Sequence, residues 1–379
     1  MMDVSNAYNK AITSLLVMLF VAGLLVGGLG IFFITLNDSA NLQGQVTDLQ
    51  SQLSALGGFQ NATYQNITIY QNATYLADLY DNVKESVVLI QGTTPDGSVQ
   101  GSGFVYSYSG RNVVVTNYHV VEGTTQLSVT FQNGKGYSAT VLGTDPYADL
   151  AVVSVNDAPA SEFKPLQIAS SSTLRVGEQV IAIGNPYGLV GSLTTGVISA
   201  LGRTIIEDSG NGFSIANIIQ TSTPINPGNS GGPMLNAAGH VIGVTTAVLS
   251  ESQGLAFAIP SNTILREIHA LITTGTYTGH SYLGVSGSDM NYAAAQELGV
   301  SVTYGWRIVT VNRGGPSDGV LQVGDIVVAL NGVTIKNNDD LASYLEEHTL
   351  PNESLTVTVI RNNNSENLTV VLGTRPAPT

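Results

Sequence analysis

The 379-residue chain contains no cysteine. Disulfides, thiol nucleophiles, iron–sulfur clusters and cysteine-ligated zinc are thereby excluded. The redox compartment stays open, because a chain without thiols tolerates either. Charge is scarce: Asp, Glu, Lys and Arg make up 11% of residues, against about 25% in an average soluble domain. Basic charge is scarcer still, with 13 Lys and Arg against 27 Asp and Glu and a net charge of −14. Binding to nucleic acid needs a basic footprint, so nucleic acid is not the main partner. The five histidines, at 119, 240, 269, 280 and 348, are too far apart for a helical pair of metal ligands. No metal or other cofactor is expected. What abounds is glycine, with 42 residues. Low charge and many glycines indicate a β-rich, turn-dense protein. Its length suits two to three domains of about 100–200 residues each.

Residues 11–36 read AITSLLVMLFVAGLLVGGLGIFFITL, without a charge. About 20 apolar residues cross a bilayer. The alternative is a cleaved signal peptide, whose apolar part is about 7–15 residues. The longer run is read as an uncleaved anchor. Lys10 precedes it and the next basic residue is Lys84, which leaves residues 1–10 in the cytoplasm and the rest outside. Gly23, Gly27, Gly28 and Gly30 are ordinary membrane-helix glycines or close helix contacts. Leu42, Val46, Leu49, Leu53 and Leu56 then form a two-heptad seam, a short coiled-coil-like stalk or a loose tether. Residues 57–75 are polar and repetitive, with sequons at Asn61, Asn66 and Asn72. Others start at Asn37, Asn352, Asn363 and Asn367. They are glycosylation sites or chance in an Asn- and Thr-rich chain.

From about residue 80 to 260, short β-branched runs alternate with glycine, as at 87–90, 113–115, 150–155, 180–183 and 241–244. These read as strands of a sandwich or barrel. The first helix-period stretch starts at Ser261, a candidate cap, and carries Ile264, Leu265, Ile268 and Leu271 up to Gly275. Three segments suit chemistry. His119 lies just past an apolar strand, Asp149 opens another, and Ser230 is surrounded by glycines and a proline. Each alone has a structural explanation. Together they supply what acyl transfer requires: a weak nucleophile, a base near neutral pH, and a carboxylate to hold the base's tautomer. The order His–Asp–Ser is one of the known orders for this constellation.

The segments GSGFV at 101–105, TNYHVV at 116–121, DLAVV at 149–153, GNPYG at 184–188, TTGVIS at 194–199, NPGNSGGP at 226–233 and FAIP at 257–260 resemble the HtrA (Deg) family of serine proteases. The likeness runs from about residue 80 to the end. It implies a mainly β chain with a chymotrypsin-like double β-barrel at 79–275. The anchor at 11–36 and the stalk or linker at 37–78, read from the residues themselves, precede it. It implies His119 as general base, Asp149 as its orienter and Ser230 as nucleophile. The amides of Gly228 and Ser230 would form the oxyanion hole. The primary pocket would be built by the residues before Ser230 and by Thr245, Thr246 and Ala247. Pro224 leaves that pocket without a charge, which suits small or medium aliphatic side chains. Thr221-Ser-Thr departs from the family's Thr-Asp-Ala.

Residues 280–375 resemble a PDZ domain, chiefly through Gly324-Asp325-Ile326 and Asn331-Gly332. Helices are expected over 293–298 and 339–348, with Leu341 and Leu345 on one face. The resemblance makes Tyr282, Leu283, Gly284 and Val285 a loop that captures a terminal carboxylate; the alternative is a strand that merely begins the fold. His280 in the linker and His348 on an exposed helix have no partner in view. The expectation is a membrane-anchored, ATP-independent endopeptidase outside the cytoplasmic membrane, a homotrimer or higher multiple. It would degrade unfolded proteins whose C-terminal peptides engage the PDZ domain. A chaperone or adaptor with little hydrolysis is the alternative.

Overall fold

A computed structural model describes residues 72–185, 191–206, 214–246 and 255–376. The apolar run at 11–36, the seam at 42–56 and Ala247 lie outside the described residues. Among the described residues no helix is long and apolar enough to cross a membrane.

The first element is α1 (Asn72–Val83), which begins inside the polar repeat at 57–75 and runs past it. Leu76, Leu79, Tyr80 and Val83 recur at helical spacing and pack onto the main core. A helix this short is marginal alone, so burial of that face holds it. Tertiary contact rather than local pattern decides this element.

Strands β1 (Val87–Thr94), β2 (Gly97–Tyr108), β3 (Arg111–Thr116), β4 (Gln126–Thr130), β5 (Gly136–Asp145) and β6 (Leu150–Val155) follow. They form a closed barrel in the order β1-β2-β3-β6-β5-β4. A short helix α2 (Tyr118–Val121) follows β3. The second barrel comprises β7 (Gln179–Gly184), β8 (Ser192–Ile206), β9 (Ser214–Thr221), β10 (Pro233–Leu235), β11 (Val241–Thr246) and β12 (Ala256–Pro260). Its order is β10-β11-β12-β9-β8-β7, also closed.

The continuous apolar runs have a physical cause. Side chains alternate across a strand, and here both faces are buried. Val113 and Val115 point into the core shared by the two barrels, while Val114 fills the first barrel. Leu150 and Val152 alternate with Ala151 and Val153 in the same way. In β7, Ile181 and Ile183 face the shared core and Val180 the second barrel. The two barrels are thus welded along an apolar seam, and loops from both meet beside it.

The expected helix is α3 (Ser261–Thr273). Its N-cap is Pro260, not Ser261. The Ser261 hydroxyl donates instead to the Ala169 carbonyl at 2.6 Å. Ile264, Ile268 and Leu271 are buried, whereas Leu265 is exposed. Gly275, at φ +83°, donates to the Ala270 carbonyl and ends the helix.

The C-terminal region holds a sheet in the order β14-β15-β16-β18-β19, with β14 (Val285–Asp289), β15 (Trp306–Val311), β16 (Ile326–Leu330), β18 (Ser354–Arg361) and β19 (Asn364–Val371). Strand β17 (Val333–Thr334) pairs with β16, and β13 (Ser281–Tyr282) pairs with β20 (Gly373–Thr374). Two helices complete it, α4 (Tyr292–Leu298) and α5 (Asn338–His348). His348 lies exposed on α5. His280 departs from expectation: it is 4% exposed and hydrogen-bonded to Asp145 and Glu346.

Candidate active site

His119 and Asp149 are brought together although 30 residues separate them. β3 and β6 are hydrogen-bonded neighbours, so the end of one lies beside the start of the other. His119 Nδ1 lies 2.9 Å from Asp149 Oδ2 and 3.0 Å from Oδ1. The His119 amide also donates to Oδ1 at 3.0 Å. The Thr246 hydroxyl, from β11 of the other barrel, donates to Oδ2 at 2.6 Å. Asp149 is fully buried, and a buried carboxylate needs such hydrogen-bond donors in place of water. Its backbone has φ +47°, a left-handed conformation that Asp tolerates better than most residues. The Asn117 side-chain amide donates to the Asp149 carbonyl at 2.9 Å and fixes the turn.

Ser230 lies half-buried in the loop between β9 and β10. Gly228 before it has φ +99° and Gly231 after it φ +85°. A Cβ on Gly231 would fall 2.1 Å from the Ser102 carbonyl and 2.2 Å from Thr116 Oγ1. Only glycine fits so close to the first barrel. Ser102 links the barrels: its amide donates to the Ser230 carbonyl at 2.8 Å and its hydroxyl to the Gly228 carbonyl at 2.6 Å. Thr116, three residues before His119, donates to the Ser102 carbonyl at 2.7 Å. Among the described residues, the Gly228 and Ser230 amides donate to no protein acceptor.

Thr245 is buried, and its hydroxyl donates to the Asn229 and Gly232 carbonyls at 2.6 and 3.1 Å. The hydroxyls of Thr245 and Thr246 are therefore committed to the Ser230 loop and to Asp149. Thr221 and Thr223 are buried and share a 2.8 Å hydrogen bond. The roles of Ser102, Thr116 and Thr246 escape sequence reasoning. A serine between two glycines on a strand is a faint signal of such a close approach.

Leu283, Gly284 and Val285 line a groove together with Leu341, Ala342 and Leu345 of α5. Gly284 has φ +75°, and its carbonyl accepts from the Asn312 amide at 2.9 Å. Strand β14 is an end strand of its sheet, so one edge has no strand partner; Ser214 and Ala216 of β9 line the same groove.

A trypsin-like peptidase domain model matches residues 101–244, and a PDZ domain model matches residues 281–372. The putative serine protease HhoB of Synechocystis is 38% identical over 75% of this chain and 68% of its own length. An HtrA-type protease, AlgW with a decapeptide, is 30% identical with a TM-score of 0.64, covering 80% of this chain and 99% of that one. The chain belongs to the HtrA (Deg) family of serine proteases. Its HtrA relatives include Protease Do-like 1, chloroplastic, of Arabidopsis thaliana, 37% identical over 74% of this chain and 65% of its own length. A probable periplasmic serine endoprotease, DegP-like, of Brucella suis is 37% identical over 73% and 53%. This HtrA chain thus spans about half to two thirds of the length of the curated relatives it matches.

Proposed function

We propose that this chain is a serine endopeptidase in which Ser230 is the nucleophile, His119 the general base and Asp149 its orienter. The observation that carries the reading is the double clamp of Asp149 on His119 Nδ1 at 2.9 and 3.0 Å. With Nδ1–H held there, Nε2 is the nitrogen left to accept the proton of Ser230 Oγ as that oxygen attacks a peptide carbonyl. Positive charge forms on the ring and is stabilised by Asp149, which stays ionised. The amides of Gly228 and Ser230 receive the developing oxyanion. One such donor is worth about 2.7–4 kcal/mol in the transition state. His119 then hands its proton to the leaving amine, and water repeats the sequence on the acyl-enzyme.

Substrates are unfolded or damaged proteins. A C-terminal peptide adds as a strand to the unpaired edge of β14, its carboxylate held by the amides of residues 282–285. The pocket favours small or medium aliphatic side chains. The chain is anchored by residues 11–36, works outside the cytoplasmic membrane and assembles as a homotrimer. The periplasmic and chloroplastic names of the relatives support an extracytoplasmic site.

Digestion of casein by the purified chain and by Ser230→Ala tests the chemistry. Hydrolysis is expected to disappear while binding of the unfolded protein persists. Undiminished digestion by Ser230→Ala excludes Ser230 as nucleophile. Equal digestion near zero by both proteins, with binding retained, favours the adaptor reading.

A further inference from the structure

The turn that delivers Asp149 is held at its other end by groups from beyond the barrels. Asp145 begins this turn, and its Oδ1 accepts from the Tyr147 amide at 2.9 Å. The Asp149 amide closes onto the Pro146 carbonyl at 3.3 Å. Asp145 Oδ2 lies 2.5 Å from His280 Nε2, and His280 Nδ1 lies 3.0 Å from Glu346 Oε2 on α5. An imidazole that faces an ionised carboxylate with each ring nitrogen donates from both, which makes it an imidazolium. Burial alone would lower the His280 pKa, but the hydrogen bonds to Asp145 and Glu346 outweigh it and push it up to about 10. The ring is therefore charged at any ordinary assay pH.

The same turn is gripped a second time. Tyr147 packs edge-on to the His280 ring, with centroids 5.4 Å apart. The Arg375 guanidinium sits 3.9 Å over the Tyr147 ring, and the Tyr147 hydroxyl donates to the Pro376 carbonyl. Glu346 is fixed by Arg266, which also donates to Glu267 at 2.7 Å. Asp145, Glu267 and His280 present donor atoms within 4.8 Å of one another, a spacing a metal ion could use. Both ring nitrogens of His280 already face carboxylates, so the charged ring itself is the bridge.

We infer that His280 is a positioning residue for Asp149: clamped between Asp145 and Glu346, it lets helix α5 of the PDZ domain set the turn that presents the carboxylate to His119. The inference rests on the triad proposed above. Placement errors of about 1 Å in a catalytic group can cost about 100-fold in rate. The turn is five residues long, with its anchor at one end and the carboxylate at the other. A charge in the PDZ helix thereby reaches the turn through two contacts, and the catalytic base through a third, Asp149 to His119.

The test uses the full chain and a short chromogenic peptide, with kcat and KM measured separately. His280→Gln removes the charge and is expected to lower kcat by about 10-fold or more, with KM changed less than about threefold. His280→Arg restores a cation between the two carboxylates and recovers most of the rate. Adding Asp145→Asn to His280→Gln gives little further loss, because both cut one path. A kcat for folded His280→Gln within about twofold of wild type overturns the inference. So does an Arg variant as impaired as the Gln variant. If His280→Gln does not fold, Glu346→Gln takes its place under the same threshold, with Arg266→Gln as the control for the Arg266 pair that it also weakens. Ser230→Ala separates the two levels. Hydrolysis by that variant overturns the triad and the clamp together, whereas inactive Ser230→Ala beside fully active His280→Gln overturns the clamp alone.

Discussion

Thr246→Val probes the carboxylate that the proposed mechanism depends on. Valine keeps the shape of threonine and loses only the hydroxyl. Asp149 is 0% and Thr246 1% exposed, so no solvent replaces the lost donor at Oδ2. The two contacts from His119 remain, at 3.0 Å from its amide and 2.9 Å from Nδ1. A hydrogen bond to a charged group contributes about 1.5–3 kcal/mol. The loss raises the energy of ionised Asp149 and lets its carboxylate rotate away from Nδ1. Felt fully in the transition state, it lowers kcat by about 10- to 150-fold, at one decade per 1.36 kcal/mol. Felt in the resting fold, it appears as a lower melting temperature. Steady-state kinetics on a short chromogenic peptide, with thermal unfolding alongside, separates the two. A folded Thr246→Val with unchanged kcat and unchanged melting temperature would refute the claim that Asp149 relies on this donor.

Gly231→Ala should abolish the active loop, because its Cβ would sit 2.1 Å from the Ser102 carbonyl at a φ of +85°. Titration with a fluorophosphonate probe counts competent serines, and full labelling of the variant contradicts this packing. The junction between the barrels and the PDZ domain should also depend on pH. His280 is pushed up to about 10 from an ordinary value of about 6.5. Its contribution is complete below about 6.5 and is lost as pH rises through about 10. Glu346 is buried, which alone would raise its pKa, yet its bond to His280 pulls it down to about 2. Its contribution is complete above about 4.5 and is lost as pH falls toward about 2. Glu267 in the same cluster is pushed up by burial and by the neighbouring Asp145, so it costs stability as pH rises above the ordinary carboxylate range. Melting temperature should therefore fall toward alkaline pH, and His280→Gln should flatten the part of that arm near pH 10. An identical alkaline arm in that variant rules His280 out as its source.

Much of the fold is legible in the residues. The run at 113–115 gives β3, that at 150–155 is β6, and Ile264, Ile268 and Leu271 mark the buried face of α3. Such segments are legible because burial imposes a period on the sequence. Helix α1 is less so: it begins inside the polar repeat at 57–75, and its apolar positions Leu76, Leu79, Tyr80 and Val83 span only about two turns, too few to hold a helix without the barrel surface they pack on. The cap of α3 is also misread: Ser261 has the right residue type, but the Ala169 carbonyl across the fold takes its hydroxyl.

The site divides along the same line. Their local settings, their order along the chain and the resemblance to the HtrA family nominate His119, Asp149 and Ser230. Their partners are invisible in one dimension. Thr246 reaches Asp149 across 97 residues and Ser102 reaches Gly228 across 126. His280, a linker histidine with no neighbour in sequence, acquires Asp145 and Glu346 only when the PDZ domain docks. Local chemistry is written in the order of the residues, because strand period, turn geometry and reactive groups are short-range properties. Which carboxylate a buried hydroxyl or imidazole finds is decided by chain closure, since burial removes water and leaves only the groups that the fold has brought within about 3 Å.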